Sequence, residues 1–146
     1  MTRPPITSSE PATKPAYTEL RWVTAVFAIA LVVHGADHQR RGSGTVSTVV
    51  NTLGSIQIAF ALATIVLVLL RHRWAPMFAV LVGFVSAVGF TLVHVLPDWF
   101  GPVSDSFINP PHTAHITGFS WFAAIFEILA DAALGVAGLR ALRERP

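Results

Sequence analysis

With 146 residues, 53% hydrophobic and only 12% charged, the chain is far from the roughly 25% charged composition of soluble globular domains and reads as an integral membrane protein. It has no cysteine, which excludes disulfides, thiolate metal sites, c-type haem attachment and thiol catalysis, and restricts any metal site to nitrogen and oxygen ligands. The net charge of +2 does not mark a nucleic-acid partner, because the basic residues stand singly or in pairs beside apolar segments and form no single patch.

Residues 1–19 are rich in Pro, Ser and Thr and have little to bury, so a disordered cytoplasmic tail is expected there. Residues 20–142 then form one all-α domain, a four-helix transmembrane bundle. The first helix is expected over about 20–38. No small-residue cleavage pattern follows its apolar run, which continues into His34-Gly35-Ala36-Asp37-His38, so a retained helix is expected and not a signal peptide. Trp22 to His38 covers only about 25 Å, which places His34 inside the membrane boundary. The second helix, about 46–70, carries Ser47, Asn51 and Ser55 four residues apart, a polar stripe expected to face the bundle.

The third helix, about 76–96, opens on Pro76 and stops before Pro97, with Gly83, Ser86 and Gly89 supplying a small face for close packing. Residues 97–114 make a long, proline-rich and aromatic connection, read as a loop lying on the membrane interface. The fourth helix, about 115–140, holds Glu127 and Asp131 on one face, with Ser120 on nearly the same line. Trp22, Trp74 and Trp99 fit interfacial belts, and His72, between Arg71 and Arg73, reads as an anchor.

Lysine and arginine are unevenly divided. Arg3, Lys14, Arg21, Arg71, Arg73, Arg140, Arg143 and Arg145 fall on the side of the two termini, against Arg40 and Arg41 on the other, where they read as exposed loop charges. The positive-inside rule therefore predicts cytoplasmic N and C termini, in a multi-pass protein of the plasma membrane.

Five of the six histidines, His34, His38, His94, His112 and His115, then share the outer face with Asp37, Asp98 and Asp105. His34 and His38 are four apart, so one helix offers two imidazoles about 6 Å apart on one face. With His94, His112, His115, Asp37 and Asp98 as further ligands, the set suits zinc, iron, copper or manganese in a tetrahedral or octahedral N/O site. Haem b is the other candidate cofactor, with His34 and His94 as axial ligands from facing helices and Arg40 and Arg41 near the propionates. The bland alternative is that interfacial histidines only bond headgroups, water and the long loop. The layout resembles small four-helix membrane proteins in general, membrane-bound b-type cytochromes among them, and no motif carries a residue across from them.

A carboxyl group at bilayer depth is a functional candidate by default. Glu127 is at the middle of its helix and has no Lys or Arg at its level, so it is expected to carry a proton and to bond Gln57 or Ser86. Glu127, Asp131 and Gln57 are read either as a proton or ion relay or as a polar clasp between helices. Walker, GxGxxG, GxSxG and HExxH patterns are absent, which argues against the chemistry of soluble enzymes. The functional expectation is an outward-facing His/Asp site for a transition metal or haem, joined to an intramembrane relay. The competing readings are an accessory subunit of a larger membrane complex and a small proton-coupled transporter acting as a homo-oligomer.

Overall fold

The computed structural model describes residues 15–42 and 44–144, and these are mostly helical, with two short connections and one long one. Helix α1 runs Pro15–Arg41, α2 Thr48–Leu69, α3 Ala75–Phe90 and α4 Gly118–Arg143. All four are long and apolar enough to cross a membrane, α3 together with the turn Thr91–Val95 that continues it, which is the make-up of a multi-pass membrane protein.

Helix α1 is longer than its apolar run at both ends. Pro15 suits a first turn, where its missing N–H costs nothing, and the helix continues until Gly42, whose φ of +94° ends it. At about 40 Å it exceeds the ~30 Å hydrocarbon core. Residues 15–19 thus belong to a helix and not to a tail, while the rest of the expected tail, residues 1–14, lies outside the described residues. Arg40 and Arg41 form the last turn of α1 and are not in a loop.

Ser47 caps α2 by accepting from the Val50 N–H at 3.1 Å. Helix α4 starts three residues later than the sequence indicates. His112–Ala114 form a 3-10 turn, His115 takes a left-handed conformation with φ +51°, and Thr117 and Ser120 then close a capping box.

The helices alternate in direction, and both ends of the bundle are tied. At the end carrying the termini, the Tyr17 hydroxyl donates to the Val68 carbonyl at 2.9 Å, the Ala16 N–H donates to Glu144 at 3.2 Å, and Arg140 pairs with Glu19. Helix α4 is central, packed against α1 and α3. Its inner face is built of small residues (Ala123, Ala124, Ala130, Ala137) together with buried Glu127 and Asp131. Outward faces are apolar instead, with Trp22, Val32, Leu69, Val85, Phe122 and Leu129 exposed, as expected where the solvent is hydrocarbon.

Of the small face expected on α3, Gly83 makes the closest approach. A Cβ there would be 2.5 Å from the Gly135 backbone nitrogen and 2.6 Å from the Asp131 carbonyl oxygen. Backbone cannot yield as a side chain can, so Gly83→Leu is expected to cost at least about 1–3 kcal/mol and to separate α3 from α4. Denaturant titration in detergent checks this, and an unchanged midpoint would contradict the packing. Gly89 has no such neighbour.

Candidate metal centre

Three histidines meet near one end of the bundle. His34 and His38 come from successive turns of α1, and their Nε2 atoms are 3.1 Å apart. His94 comes from the turn Thr91–Val95, and one nitrogen from each of the three rings lies within 4.8 Å of the others. His34 and His94 are buried, at 6% and 2% exposure, and His38 is half-buried.

Local backbone geometry places His94. Thr91–Val95 is a π-helical turn, closed by the Leu96 N–H donating to the Thr91 carbonyl at 3.2 Å. Pro97 brings no N–H to continue the helix, and the wider turn ends α3 beside α1.

The long connection is anchored to the bundle by its own backbone. It folds back into the bundle end, where the Asp105 N–H donates to the Val93 carbonyl at 3.0 Å and the Phe107 N–H to that of His94 at 2.9 Å. The Phe107 ring is buried against His94, at 4.8 Å between centroids, and against Trp121 at 5.6 Å.

Nδ1 of His94 faces Asp105 twice, 3.2 Å from its carbonyl oxygen and 3.4 Å from its carboxylate. A proton on Nδ1 satisfies both and leaves the Nε2 lone pair for a ligand. Such carboxylate–histidine pairs commonly orient metal-binding imidazoles. Asp105 is held in turn by Arg41, through two hydrogen bonds of 2.6 Å in fork geometry, with the two side chains 5% and 0% exposed. Burial alone would raise the Asp105 carboxyl, but the hydrogen bonds from Arg41 and His94 and the charge of Arg41 outweigh it and hold the group below the ordinary carboxylate range.

Two tetrahedral ligands at ~2.0–2.1 Å from zinc stand about 3.3 Å apart. The His34–His38 pair already matches that spacing, and His94 needs to move inward by at most about 1.5 Å. A porphyrin fits less well. The His34 and His94 rings are 5.1 Å apart, and both also contact His38 and Phe90, so no slot for a macrocycle separates the two nitrogens.

The other residues expected at the site lie elsewhere. His112 and His115 are exposed, the latter turned out by its left-handed backbone, and Asp98 is exposed beyond Pro97. Asp37 is buried but bonded to Arg40, at 2.8 Å, and to Ser120, at 3.1 Å. Arg40 also bonds the His115 carbonyl, and Arg41 that of Ala114, at 2.9 Å. Neither arginine is the free loop charge expected from sequence. They tie α1 to the long connection and to α4. The Arg41–Asp105 pair escaped the sequence reading because 64 residues separate its members. Its one visible sign is an acidic residue in an otherwise uncharged part of the connection.

Below the histidines, Gln57 donates to Ser86 at 3.3 Å, and neither reaches Glu127. Glu127 and Asp131 are both at 0% exposure. Their four carboxyl oxygens and Nδ1 of His34 are the buried side-chain polar atoms without a hydrogen-bond partner among the described residues. The Ser120–Asp37 bond fixes the register of α4 against α1. Glu127 lies seven residues inward from Ser120, and His34 three inward from Asp37, so Glu127 is only about 6 Å deeper than His34, one helical turn.

Compared with protein families, curated proteins and solved structures, the chain matches none of them.

Proposed function

We propose that this chain binds a divalent transition metal through His34, His38 and His94 at the outer end of a four-helix transmembrane bundle, with Glu127 and Asp131 forming a proton relay beneath it. The observation that carries the reading is the convergence of three imidazoles from two helices, one of them oriented by a buried carboxylate. Imidazole ligands suit zinc, copper, iron and nickel.

Cytoplasmic termini and a plasma-membrane location belong to the same proposal. The lysine and arginine bias, eight on the side of the termini against Arg40 and Arg41 on the other, supports the orientation. The relay reading gains over the clasp because a clasp requires a partner, and the two carboxyl groups have none among the described residues.

Purification in mild detergent, metal analysis by mass spectrometry and a visible spectrum test the proposal. One metal ion per chain is expected, lost from the His34→Ala, His38→Ala double variant. A Soret band would replace the metal ion with haem. A preparation that takes up none of these metals on reconstitution overturns the proposal.

A further inference from the structure

A cavity of about 640 Å³ opens beside the three histidines, between α1, α2 and α3. His34, His38 and His94 line one end, and the walls below are mainly apolar, with Gln57 and Ser86 deep inside. Exposed wall residues such as Leu53, Phe60 and Val85 place its mouth on the apolar flank of the bundle. Its volume is that of a small-molecule pocket, with apolar walls and a few convergent polar groups.

Glycine keeps this space open. Gly35, Gly54 and Gly89, one from each wall helix, line the cavity, and a Cβ at any of them would meet no atom within 4 Å. Glycine within a helix costs roughly 0.5–1 kcal/mol relative to alanine and in membrane helices usually permits close packing, as Gly83 and Gly138 do here. At these three positions it permits no packing. It leaves room instead. His34, 94% buried, brings the proposed metal site to the end of this space.

Three protein ligands leave a fourth position on a tetrahedral ion, the arrangement of catalytic and not of structural sites. Three neutral imidazoles also leave both charges of a divalent ion uncompensated in a low dielectric. The neighbouring acids cannot supply the balance, since Asp105 is held by Arg41 and His94, and Asp37 by Arg40 and Ser120. An anionic oxygen ligand would supply it.

We infer that the cavity takes a lipid-soluble molecule with an anionic, metal-coordinating oxygen head and an apolar tail, entering from the bilayer and placing its head on the open metal position. This rests on the metal reading above and names the ligand class of that site. The step is coordination alone: the head group loses its proton to solvent and gives an oxygen lone pair to the metal.

Cobalt(II)-loaded protein in lipid nanodiscs, titrated with decanoyl hydroxamic acid and separately with acetohydroxamic acid, tests the inference through the visible cobalt bands. Both probes coordinate alike and differ in their tails. Because the long probe partitions into any bilayer, the deciding quantity is the ratio of the two affinities in each variant. Gly54→Phe is expected to keep one cobalt per chain and to lower the preference for the long probe at least tenfold. Gly89→Leu is expected to do the same from the opposite wall, which covers failure of the first variant to fold.

An unchanged ratio in both variants, with cobalt bound, overturns the cavity inference alone and leaves the space to ordinary lipid or a second copy of the chain. Failure of the wild-type protein to bind cobalt overturns the metal reading and this inference with it.

Discussion

Asp105→Asn is expected to lower metal affinity by one to two orders of magnitude and to destabilise the fold by about 3–5 kcal/mol. The first figure follows from the role of Asp105 toward Nδ1 of His94, because partners of ligating histidines typically contribute that much. The second follows from Arg41, whose side chain is fully buried and would keep its charge without a counter-ion. A double variant separates the two effects. Arg41→Met combined with Asp105→Leu removes both charges, and such apolar replacements of buried pairs are often neutral or stabilising. Its thermal stability in detergent should return to about the wild-type level while its metal affinity stays low. Recovery of both would make Asp105 a packing element and not a positioning residue.

The same pair gives a pH dependence with a definite sign. The folded Asp105 carboxyl is held below its ordinary range, so its contribution is complete at neutral pH. It is lost as the pH falls from the unfolded value of about 3.9 through the lower folded one. Unfolding of the wild-type protein followed from pH 7 downward should show this loss, and Asp105→Asn should lack that component of the slope.

How much of this was legible in the sequence differs from part to part. The four apolar runs were plain because bilayer thickness dictates their length, and hydropathy reads length directly. Helix ends were less plain. Arg40 and Arg41 looked like loop residues because charge usually marks the end of a span, yet the helix continues through them to reach Asp37, Asp105 and the long connection. The i, i+4 spacing placed His34 and His38 on one face, since that follows from 3.6 residues per turn.

Adding His94 and leaving out His112 and His115 depended on one π-helical turn and one left-handed residue, neither of which periodicity encodes. The polar stripe on α2 was half legible. Asn51 and Ser55 are exposed, but they line the cavity between α1, α2 and α3. No hydrophobic pattern distinguishes a wall that contacts a neighbour from one that borders space.

Replacing Glu127 or Asp131 with an apolar residue of similar volume is expected to raise stability, by about 1–3 kcal/mol each for Glu127→Met and Asp131→Leu, the cost of one buried polar group left without a hydrogen bond. Ordinarily, losing a buried polar group is costly because its partner is left exposed to an apolar environment. Here each group already stands without a partner among the described residues, so the substitution removes a desolvation cost and breaks no hydrogen bond. Polar groups kept in a membrane interior at such a cost point to function.

The relay reading therefore couples the gain in stability to a loss of activity: Glu127→Met should unfold at higher denaturant and abolish proton flux across liposomes carrying an internal pH dye. Glu127→Gln should abolish the flux too, because an amide keeps the shape and cannot release a proton at accessible pH. If both variants lower stability instead, the carboxyl groups hold the helices together, and the clasp is their role. If stability rises and flux is unchanged, protons reach the histidines by another route, of which the cavity beside His34 is the nearest at hand.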